Sequence, residues 1–282
     1  MDLRAGVSGH TRLAVVIGEP VRHSLSPAIH NAAFAALDMD WVFLACEVPE
    51  GGVPEALAGA LALGIEGLSV TMPHKAAVAA AVDRLSGTAS LLGAVNCVAR
   101  EGRRLVGHST DGDGFVDALG SEPGWSPTGA RCVVFGAGGA GRAVVLALAD
   151  AGAAEVAVVN RTTQHAEAAA ALAGDRGRVA AAAETGRFDL VVNATPLGMT
   201  GRGGGALPLD PELLQPGQLL VDLVYEPAET VLLSAARERG VRAFNGVRML
   251  VHQAARAFEL WTGTEAPIEV MAAATTEALA RR

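Results

Sequence analysis

The stretch Gly136-Ala137-Gly138-Gly139-Ala140-Gly141 lies between an apolar run, Val133-Val134-Phe135, and a helix-like segment, 142–151. A phosphate-binding turn of this kind needs glycine at Gly136 for a tight bend and at Gly138 for the approach of a diphosphate. Glycine at Gly141 allows the helix to pack closely on the sheet. The first N–H groups of such a helix face the phosphates. The stretch therefore predicts a strand, a dinucleotide-binding turn that includes Gly139 and Ala140, and a helix.

The context of this motif is more specific than its glycines, because a chain with 34 glycines produces such spacings by chance. A second apolar run, 155–159, completes a βαβ unit and ends in Asn160-Arg161-Thr162. NAD-binding units commonly have a carboxylate here for the ribose 2′-hydroxyl, whereas an arginine suits a 2′-phosphate. We therefore expect NADP, bound in part by Asn160, Arg161 and Thr162. The alternative is that Arg161 is a solvated loop residue.

The composition favours a globular protein with a small-molecule partner. A length of 282 residues with 50% hydrophobic content is enough for one or two sizeable cores, and two domains is the default expectation. The net charge of -8 and the lack of a basic run argue against nucleic acid or an anionic membrane as the main partner. The N-terminal part has only a strand-sized apolar run, 13–17, so we expect a soluble, cytoplasmic protein. Monomer and homodimer both remain open.

The three cysteines, Cys46, Cys97 and Cys132, are isolated along the chain. They have neither CxxC nor zinc-finger spacing, so the sequence predicts no disulfide framework and no metal site. This pattern is typical of a protein from a reducing compartment.

The order of apolar runs and helical patterns predicts an α/β fold throughout. In the first half the expected strands are 13–17, 41–45, 68–70, and a hairpin of 95–99 and 104–106; the expected helices are 27–37, 54–63 and 75–85. A loop at 120–129 leads into the dinucleotide unit. Beyond 155–159 the expected strands are 189–192, 218–223 and 241–244. The expected helices there are 164–172, 228–239, 248–261 and 268–280, with a glycine-rich loop at 201–205.

Two polar motifs follow strands of the first half. The segment 18–27 ends a strand and starts a helix with Pro27 at its first helical position, and the hydroxyls of Ser24 and Ser26 can donate to a carboxylate there. The structural alternative is that Ser26 only caps the helix. In 68–75, a strand ends just before Thr71, Pro73 turns the chain, and Lys75 lies at the start of a helix. The helix dipole disfavours a cation at that position, which suits a proton-transfer group, although a surface lysine is an equal alternative.

A third polar cluster contains Asn96 and the segment 107–112, in which Asp111 starts a helix. Asp111 alone could be an N-cap. However, ligands of open α/β folds bind outside the carboxyl ends of strands. We place Ser24, Thr71, Lys75, Asn96 and Asp111 at or just after such ends and expect one site.

In its sequence motifs, the chain closely resembles the shikimate dehydrogenase family, from Gly18 to about Gly263. The matching pieces, in family order, are GEPVRHSLSPAIHN (18–31), VTMPHK (70–75), AVNC (94–97), TDG (110–112), GAGGAGRA (136–143), NRT (160–162), NATPLGM (193–199), DLVY (222–225) and GVRMLVHQA (246–254). The resemblance implies an N-terminal α/β substrate domain, 1–110 completed by the C-terminal helices 248–282, and a Rossmann NADP-binding domain, 111–247. It also implies an active site in the cleft between the domains and a role in aromatic amino acid biosynthesis.

By the same resemblance, Lys75 would be the acid/base that accompanies hydride transfer between 3-dehydroshikimate or shikimate and NADP(H), with Asp111 as its catalytic partner. The remaining implied roles are substrate binding by Ser24, Ser26, Thr71, Asn96, Asp111, Tyr225 and Gln253, and shaping of the nicotinamide site by Thr195, Met199, Val224 and Gly246.

Two departures leave the substrate open. The family usually has asparagine where this chain has Ser69 and Ser109, so quinate or aminoshikimate are alternative substrates. Two different functions also stay open: a catalytically silent NADP-binding protein, and another Rossmann enzyme such as a folate dehydrogenase or an aldehyde reductase. Among the histidines we expect His23 and His30 to be structural hydrogen-bonding residues, and we assign no role to the loop residues His74 and His108.

Overall fold

The computed structural model describes residues 6–122, 124–200 and 206–282. The glycine-rich segment 201–205, expected to be a loop, lies outside the described residues. The chain divides into two compact units. The first unit comprises the residues up to Thr110 together with Val251–Arg282, and the second unit comprises Asp111–Leu250.

The first unit is built on a six-stranded mixed sheet. Its strands are β1 (Arg12–Gly18), β2 (Trp41–Glu47), β3 (Gly67–Val70), β4 (Arg84–Leu85), β5 (Cys97–Glu101) and β6 (Arg104–His108), and its helices are α1 (Ser26–Ala36), α2 (Val53–Leu63), α3 (Lys75–Ala81), α4 (Gly87–Leu92), most of α9 (Val247–Thr262) and α10 (Ile268–Ala280). The strand order is β2-β1-β3-β5-β6-β4. β1 is parallel to β2 and β3, and β5 is antiparallel to both β3 and β6.

Both faces of this sheet are covered by apolar side chains. On one face, residues such as Val15, Leu68 and Val98 pack with Leu57 of α2 and Val78 of α3. The other face has an aromatic cluster of His30, Phe34, Phe43, Trp261 and Phe258, supplied by the sheet, α1 and α9. The alternation of the strand residues between two buried faces explains why these strands read as continuous apolar runs.

The second unit is a fully parallel six-stranded sheet with helices on both faces. Its strands are β7 (Arg131–Phe135), β8 (Glu155–Val159), β9 (Gly177–Val179), β10 (Leu190–Asn193), β11 (Leu219–Asp222) and β12 (Arg242–Asn245), and its helices are α5 (Asp111–Gly120), α6 (Gly139–Asp150), α7 (Thr163–Ala170), α8 (Val231–Glu238) and the start of α9. The order β12-β11-β10-β7-β8-β9 is that of a doubly wound nucleotide-binding fold. Val134 packs towards Leu148 of α6, whereas its neighbour Val133 packs towards Leu233 of α8.

Most elements agree with the sequence expectations, including the hairpin of β5 and β6 and the whole β7, α6, β8 unit. The predicted end of one helix is wrong, because α3 ends at Ala81 and not at residue 85. Asp83 exchanges hydrogen bonds with Leu105, and Arg84 pairs in register with Val106, so tertiary pairing overrides the helix propensity of this alanine-rich segment. The short elements α4 and β9 were not expected.

None of the helices within the described residues combines the length and the hydropathy needed to cross a membrane.

Candidate functional site

The ends of β1 and β3 lie next to each other at a switch point of the first sheet. The chain leaves β1 towards β2 on one side, and β3 pairs with β1 on the other side. Ligands of open α/β sheets bind at such points. The segments that follow the two strands are tied together, because Thr71 N donates to Ile17 O (3.0 Å) and Glu19 N donates to Met72 O (3.0 Å). The first two polar motifs of the sequence are therefore neighbours in the fold.

The two serines of the first motif are placed at the start of α1. Ser26 is its first residue, with Pro27 in the first turn. The alternative that Ser26 caps the helix is wrong, because Leu25 occupies the N-cap position and no side chain forms a capping hydrogen bond. Instead, Ser26 N donates to Ser24 Oγ (3.2 Å). Both serines thus lie beside the first N–H groups of a helix, which favour an anion.

Lys75 is the first residue of α3, as expected, and it is half-buried. The turn that leads to it is anchored at the preceding residue, because the buried His74 ring has Nε2 at 2.8 Å from Val48 O. The main chain of Lys75 accepts a hydrogen bond from Val95 N (3.0 Å), and Asn96 O accepts one from Val70 N (2.7 Å). These bonds join the segment that carries Lys75 to the segment that carries Asn96.

Asn96 precedes β5, so it lies at the amino end of its own strand and not at a carboxyl end as we expected. It still lies at the edge of the sheet where β3 ends, because β5 runs antiparallel to β3. Its side chain is buried in a network that the sequence did not predict. Asn96 Oδ1 accepts from Thr110 N (2.7 Å), and Asn96 Nδ2 donates to Thr110 Oγ1 (2.9 Å) and to Gln253 Oε1 (3.4 Å).

Thr110 connects the two candidate substrate residues of this network. Its hydroxyl donates to the backbone oxygen of Gln253 (3.1 Å) while it accepts from Asn96. Thr110 is 3% exposed, so it braces the Asn96 side chain and the Gln253 backbone from inside the fold. Thr110 belongs to the TDG piece, for which the sequence predicts a role of the aspartate only.

Asp111 and Tyr225 belong to the second unit. α5 begins at Asp111, whose buried carboxylate lies in the first turn of the helix together with Asp113. Tyr225 is half-buried in the segment that follows β11. Both remain expectations from the family pattern, as do the binding roles of the residues in the first unit.

The glycine-rich turn of the second unit has the geometry of a phosphate cradle. Gly136 has φ = +106°, and an added Cβ would lie 3.0 Å from the backbone of Ala194. A Cβ on Gly141 would overlap the carbonyl oxygen of Gly136. In contrast, no atom lies within 4 Å of a Cβ on Gly138, so this part of the turn is open. Gly139 and Ala140 begin α6, whose N-cap Gly138 has no side-chain cap.

Asn160 fixes the far side of this cradle. Its Oδ1 accepts from Ala137 N (3.2 Å) and its Nδ2 donates to Thr162 O (3.0 Å), so one side chain links the glycine turn to the end of β8. Arg161 and Thr162 are exposed beside it. An open backbone turn, a helix N-terminus and an exposed arginine at the end of the second strand fit a dinucleotide with a 2′-phosphate. The residues present therefore fit NADP.

The remaining cofactor candidates lie in the segments after β10, β11 and β12. Thr195 and Met199 follow β10, Val224 follows β11, and Gly246 follows β12, where a Cβ would overlap the carbonyl oxygen of Leu223. Between them is a buried carboxylate, Asp222. Burial raises its pKa above the ordinary value, and hydrogen bonds from Thr230, Val224 and Asn193 oppose that increase.

The histidines differ from the sequence interpretation. His30 is fully buried, and neither of its ring nitrogens has a hydrogen-bond partner in the described part of the chain, so the expected hydrogen-bonding role is wrong. It stacks on Phe43 with ring centroids 4.4 Å apart, and burial lowers its pKa to about 3. His23 is exposed, and its backbone oxygen accepts a bond from Arg282. His108 ends β6, and burial lowers its pKa.

The composition contains a further signal for the role of Lys75. Lys75 is the single lysine of the chain, and the other 21 of the 22 basic residues are arginines. Arginine serves ion pairs well but keeps its proton at all ordinary pH values, whereas lysine can exchange one. A lone lysine at the switch point of a sheet therefore indicates proton transfer more strongly than its place at a helix start does. Within the described residues, no group of three or more His, Cys, Asp or Glu side chains could hold a metal ion.

The strand order and the cradle together define the second unit as a dinucleotide-binding domain of the Rossmann type. Comparison with known proteins identifies the family of the whole chain. Residues 16–98 match the family model "Shikimate dehydrogenase substrate binding domain", 123–195 match "Shikimate / quinate 5-dehydrogenase", and 246–275 match "Shikimate 5'-dehydrogenase C-terminal domain".

Individual relatives agree with these matches. A shikimate dehydrogenase (NADP(+)) of Moorella thermoacetica is 46% identical, with 97% of this chain and 95% of that protein covered. A crystal structure of a shikimate dehydrogenase in complex with NADP+ superposes with a TM-score of 0.92 at 36% identity, with 97% of each chain covered. A Thermus thermophilus enzyme in complex with NADP(H) and shikimate has a TM-score of 0.89 at 38% identity, with 95% of this chain and 100% of that chain covered. The chain belongs to the shikimate dehydrogenase family.

Proposed function

We propose that this protein interconverts 3-dehydroshikimate and shikimate with NADP(H). The observation that carries the proposal is the position of the only lysine, Lys75, which starts a helix at the same edge of the first sheet as Thr71 and Asn96. Hydroxyl and amide groups at that edge match a ligand with several hydroxyls and one carboxylate. The cradle in the second unit supports the cofactor half of the reaction.

The proposed chemistry needs one proton-transfer group. NADP+, when bound in the glycine-rich cradle, would supply the hydride acceptor for the carbon that carries the reacting hydroxyl of shikimate. Lys75 takes the proton of that hydroxyl as the carbonyl forms, and in the reverse direction the protonated Lys75 returns it. Asp111, in the first turn of α5, is proposed as the second catalytic group.

Substrate binding is divided among the other polar residues. We assign the substrate carboxylate to Ser24 and Ser26, because their hydroxyls lie at the N-terminus of α1. Thr71, Asn96 and Gln253 are assigned to the ring hydroxyls. The bonds between Thr110 and Asn96, and the bond from Asn96 Nδ2 to Gln253 Oε1, support this assignment, because they orient the two amides before the ligand arrives. Tyr225 is proposed as a further substrate contact.

An absorbance assay at the reduced nicotinamide band tests the proposed function. Shikimate, quinate and aminoshikimate are each offered with NADP and with NAD. We expect turnover of shikimate with NADP and much slower turnover of the other pairs. Preference for quinate or aminoshikimate would assign the substrate difference to Ser69 and Ser109, where serine is shorter than the asparagine of the family. Binding of NADP without turnover of any of the three would contradict the proposal and favour a cofactor-binding sensor.

The cofactor preference depends on Arg161. Replacing Arg161→Ala should raise the Michaelis constant for NADP by about 10- to 100-fold, because a charge-assisted hydrogen bond to the 2′-phosphate contributes roughly 1.5–3 kcal/mol. The constant for NAD should hardly change. Arg187, another exposed arginine of the second unit, provides the matched control. Equal constants for NADP in Arg161→Ala and in the unchanged protein would show that Arg161 is only a solvated loop residue.

We also propose a cytoplasmic location. The support is that Cys46, Cys97 and Cys132 form no disulfide with one another, as is typical of proteins kept in a reducing compartment.

A further inference from the structure

Two buried polar side chains end neighbouring strands of the second sheet. Asn193 is the last residue of β10 and Asp222 is the last residue of β11, and the two residues are paired in register. Both are 0% exposed, and Asn193 Nδ2 donates to Asp222 Oδ1 at 2.8 Å. By contrast, β7 and β8 end in the apolar residues Phe135 and Val159. Burial of a carboxylate and an amide is costly unless their hydrogen bonds are complete, so these two positions require an explanation.

Each member of the pair holds the segment that follows its own strand. Asn193 Oδ1 accepts from Thr195 N (3.0 Å) and from Thr195 Oγ1 (2.7 Å), and its Nδ2 also donates to Leu197 O (3.3 Å). Asp222 Oδ1 accepts from Val224 N (3.1 Å). The bond between Asn193 and Asp222 therefore fixes the two segments relative to each other.

A third element, helix α8, is joined to the same network. The second carboxylate oxygen, Asp222 Oδ2, accepts from Thr230 Oγ1 (2.7 Å), and the same hydroxyl accepts from Leu233 N (3.2 Å) as the N-cap of α8. Thr230 thus ties the carboxylate to the helix that covers the sheet, but it contacts neither Thr195 nor Val224 in this network. The bonds of Asp222 divide into one set that serves the loops and one that serves the helix.

We propose that Asn193 and Asp222 are a positioning pair for the nicotinamide half of NADP. The inference rests on the proposed function and on the nicotinamide-side roles that the family resemblance implies for Thr195, Met199 and Val224. The pair aligns the segments 194–199 and 223–225 before the cofactor binds, so the nicotinamide meets a preformed site. Asn193 and Asp222 touch neither substrate nor cofactor; they act through the residues that do. The adenosine half is served separately by the cradle and Arg161.

The first test measures the protein without cofactor. In Asn193→Leu the side chain keeps its approximate volume but loses every bond of the amide. Amide hydrogen exchange should become faster in 194–199 and 223–225. In the control Thr230→Val, which removes the cap and one bond to Asp222, faster exchange should be confined to 230–238, together with a lower melting temperature. Equal exchange of 194–199 and 223–225 in Asn193→Leu and the unchanged protein would overturn the proposal.

The second test separates the two halves of the cofactor. Asn193→Leu should lower kcat by about 10- to 100-fold, the usual effect of a small misplacement of a reacting group. The dissociation constant for adenosine 2′,5′-bisphosphate, which has only the adenosine half, should stay within about 2-fold of its value in the unchanged protein. A general loss of structure would instead lower kcat and weaken the binding of the bisphosphate as well. Unchanged kcat in a folded Asn193→Leu would overturn the positioning role. Failure of the bisphosphate to bind the unchanged protein would contradict the proposed function instead. Asn193→Ser, which is too short to reach Asp222, gives the same comparison if the leucine variant does not fold.

Discussion

Replacing Lys75→Ala should lower kcat by about 100- to 10,000-fold, the usual contribution of a positioned general acid or base. The hydride cannot leave the substrate carbon unless the hydroxyl proton leaves with a group that accepts it, and Lys75 is the only lysine available for that task. The dissociation constant for NADP should be almost unchanged, because every cofactor residue that we propose lies in the second unit. The measurement is single-turnover reduction of NADP with saturating shikimate.

Two further variants show whether the proton or only the charge of Lys75 matters. Lys75→Arg keeps a cation but cannot release its proton, so we expect nearly the same loss of kcat as with alanine. Arg84→Ala removes an exposed cation of the same unit, which pairs with Glu101, and should leave kcat unchanged. If Lys75→Arg retained kcat within a few-fold, Lys75 would be a binding residue and the acid/base assignment would be wrong. Labelling with ¹⁵N-lysine gives a single side-chain signal whose titration can be followed directly.

The dinucleotide cradle shows why part of this protein could be predicted from its sequence. A strand, a turn with glycine at Gly136 and Gly141, and a helix are local in the chain, and each glycine has a steric reason within the same unit. β8 was predicted with its observed bounds because an apolar run between polar ends is also a local signal. The family resemblance extended these local predictions to the complete fold.

Features that depend on distant partners could not be predicted. The end of α3 depends on the pairing of Arg84 with Val106 in a strand that is far away in the sequence. The bracing role of Thr110 depends on Gln253, which is 143 residues away. A hydroxyl or an amide carries no pattern in the sequence that identifies its partner, so such networks appear only in the structure.

His30 illustrates the same limit, because its buried environment is formed by residues from three separate elements. Sequence context indicated a hydrogen-bonding histidine, but Phe43 of β2 and Trp261 of α9 surround the ring with aromatic carbon. In this environment the charged imidazolium has no solvation, and burial lowers the pKa to about 3. The buried position of His30 therefore leads to a prediction about the pH dependence of stability, whereas the predictions above concern catalysis and ligand binding.

His30 should make the folded protein sensitive to acid. The unfolded chain binds a proton at His30 below its ordinary pKa of 6.5, whereas the folded chain stays neutral there down to about pH 3. Because the unfolded state binds more protons in this window, stability is complete above about pH 6.5 and decreases as the pH falls. The loss from this residue amounts to about 2 kcal/mol at pH 5 and about 4 to 5 kcal/mol near pH 3.

Urea unfolding of the unchanged protein and of His30→Leu at several pH values between 7 and 5 measures this contribution. The leucine cannot be protonated, so the variant should lose about 2 kcal/mol less over that interval. Any change in stacking against Phe43 shifts the free energy of unfolding equally at every pH value. It therefore cancels when the changes in free energy between pH 7 and pH 5 are compared. His23→Gln, which alters an exposed histidine just before α1, is the control for a histidine replacement outside the aromatic cluster. Parallel pH dependences of the unchanged protein and His30→Leu would mean that His30 binds its proton in the folded state, which requires a partner for the ring that the aromatic cluster does not supply.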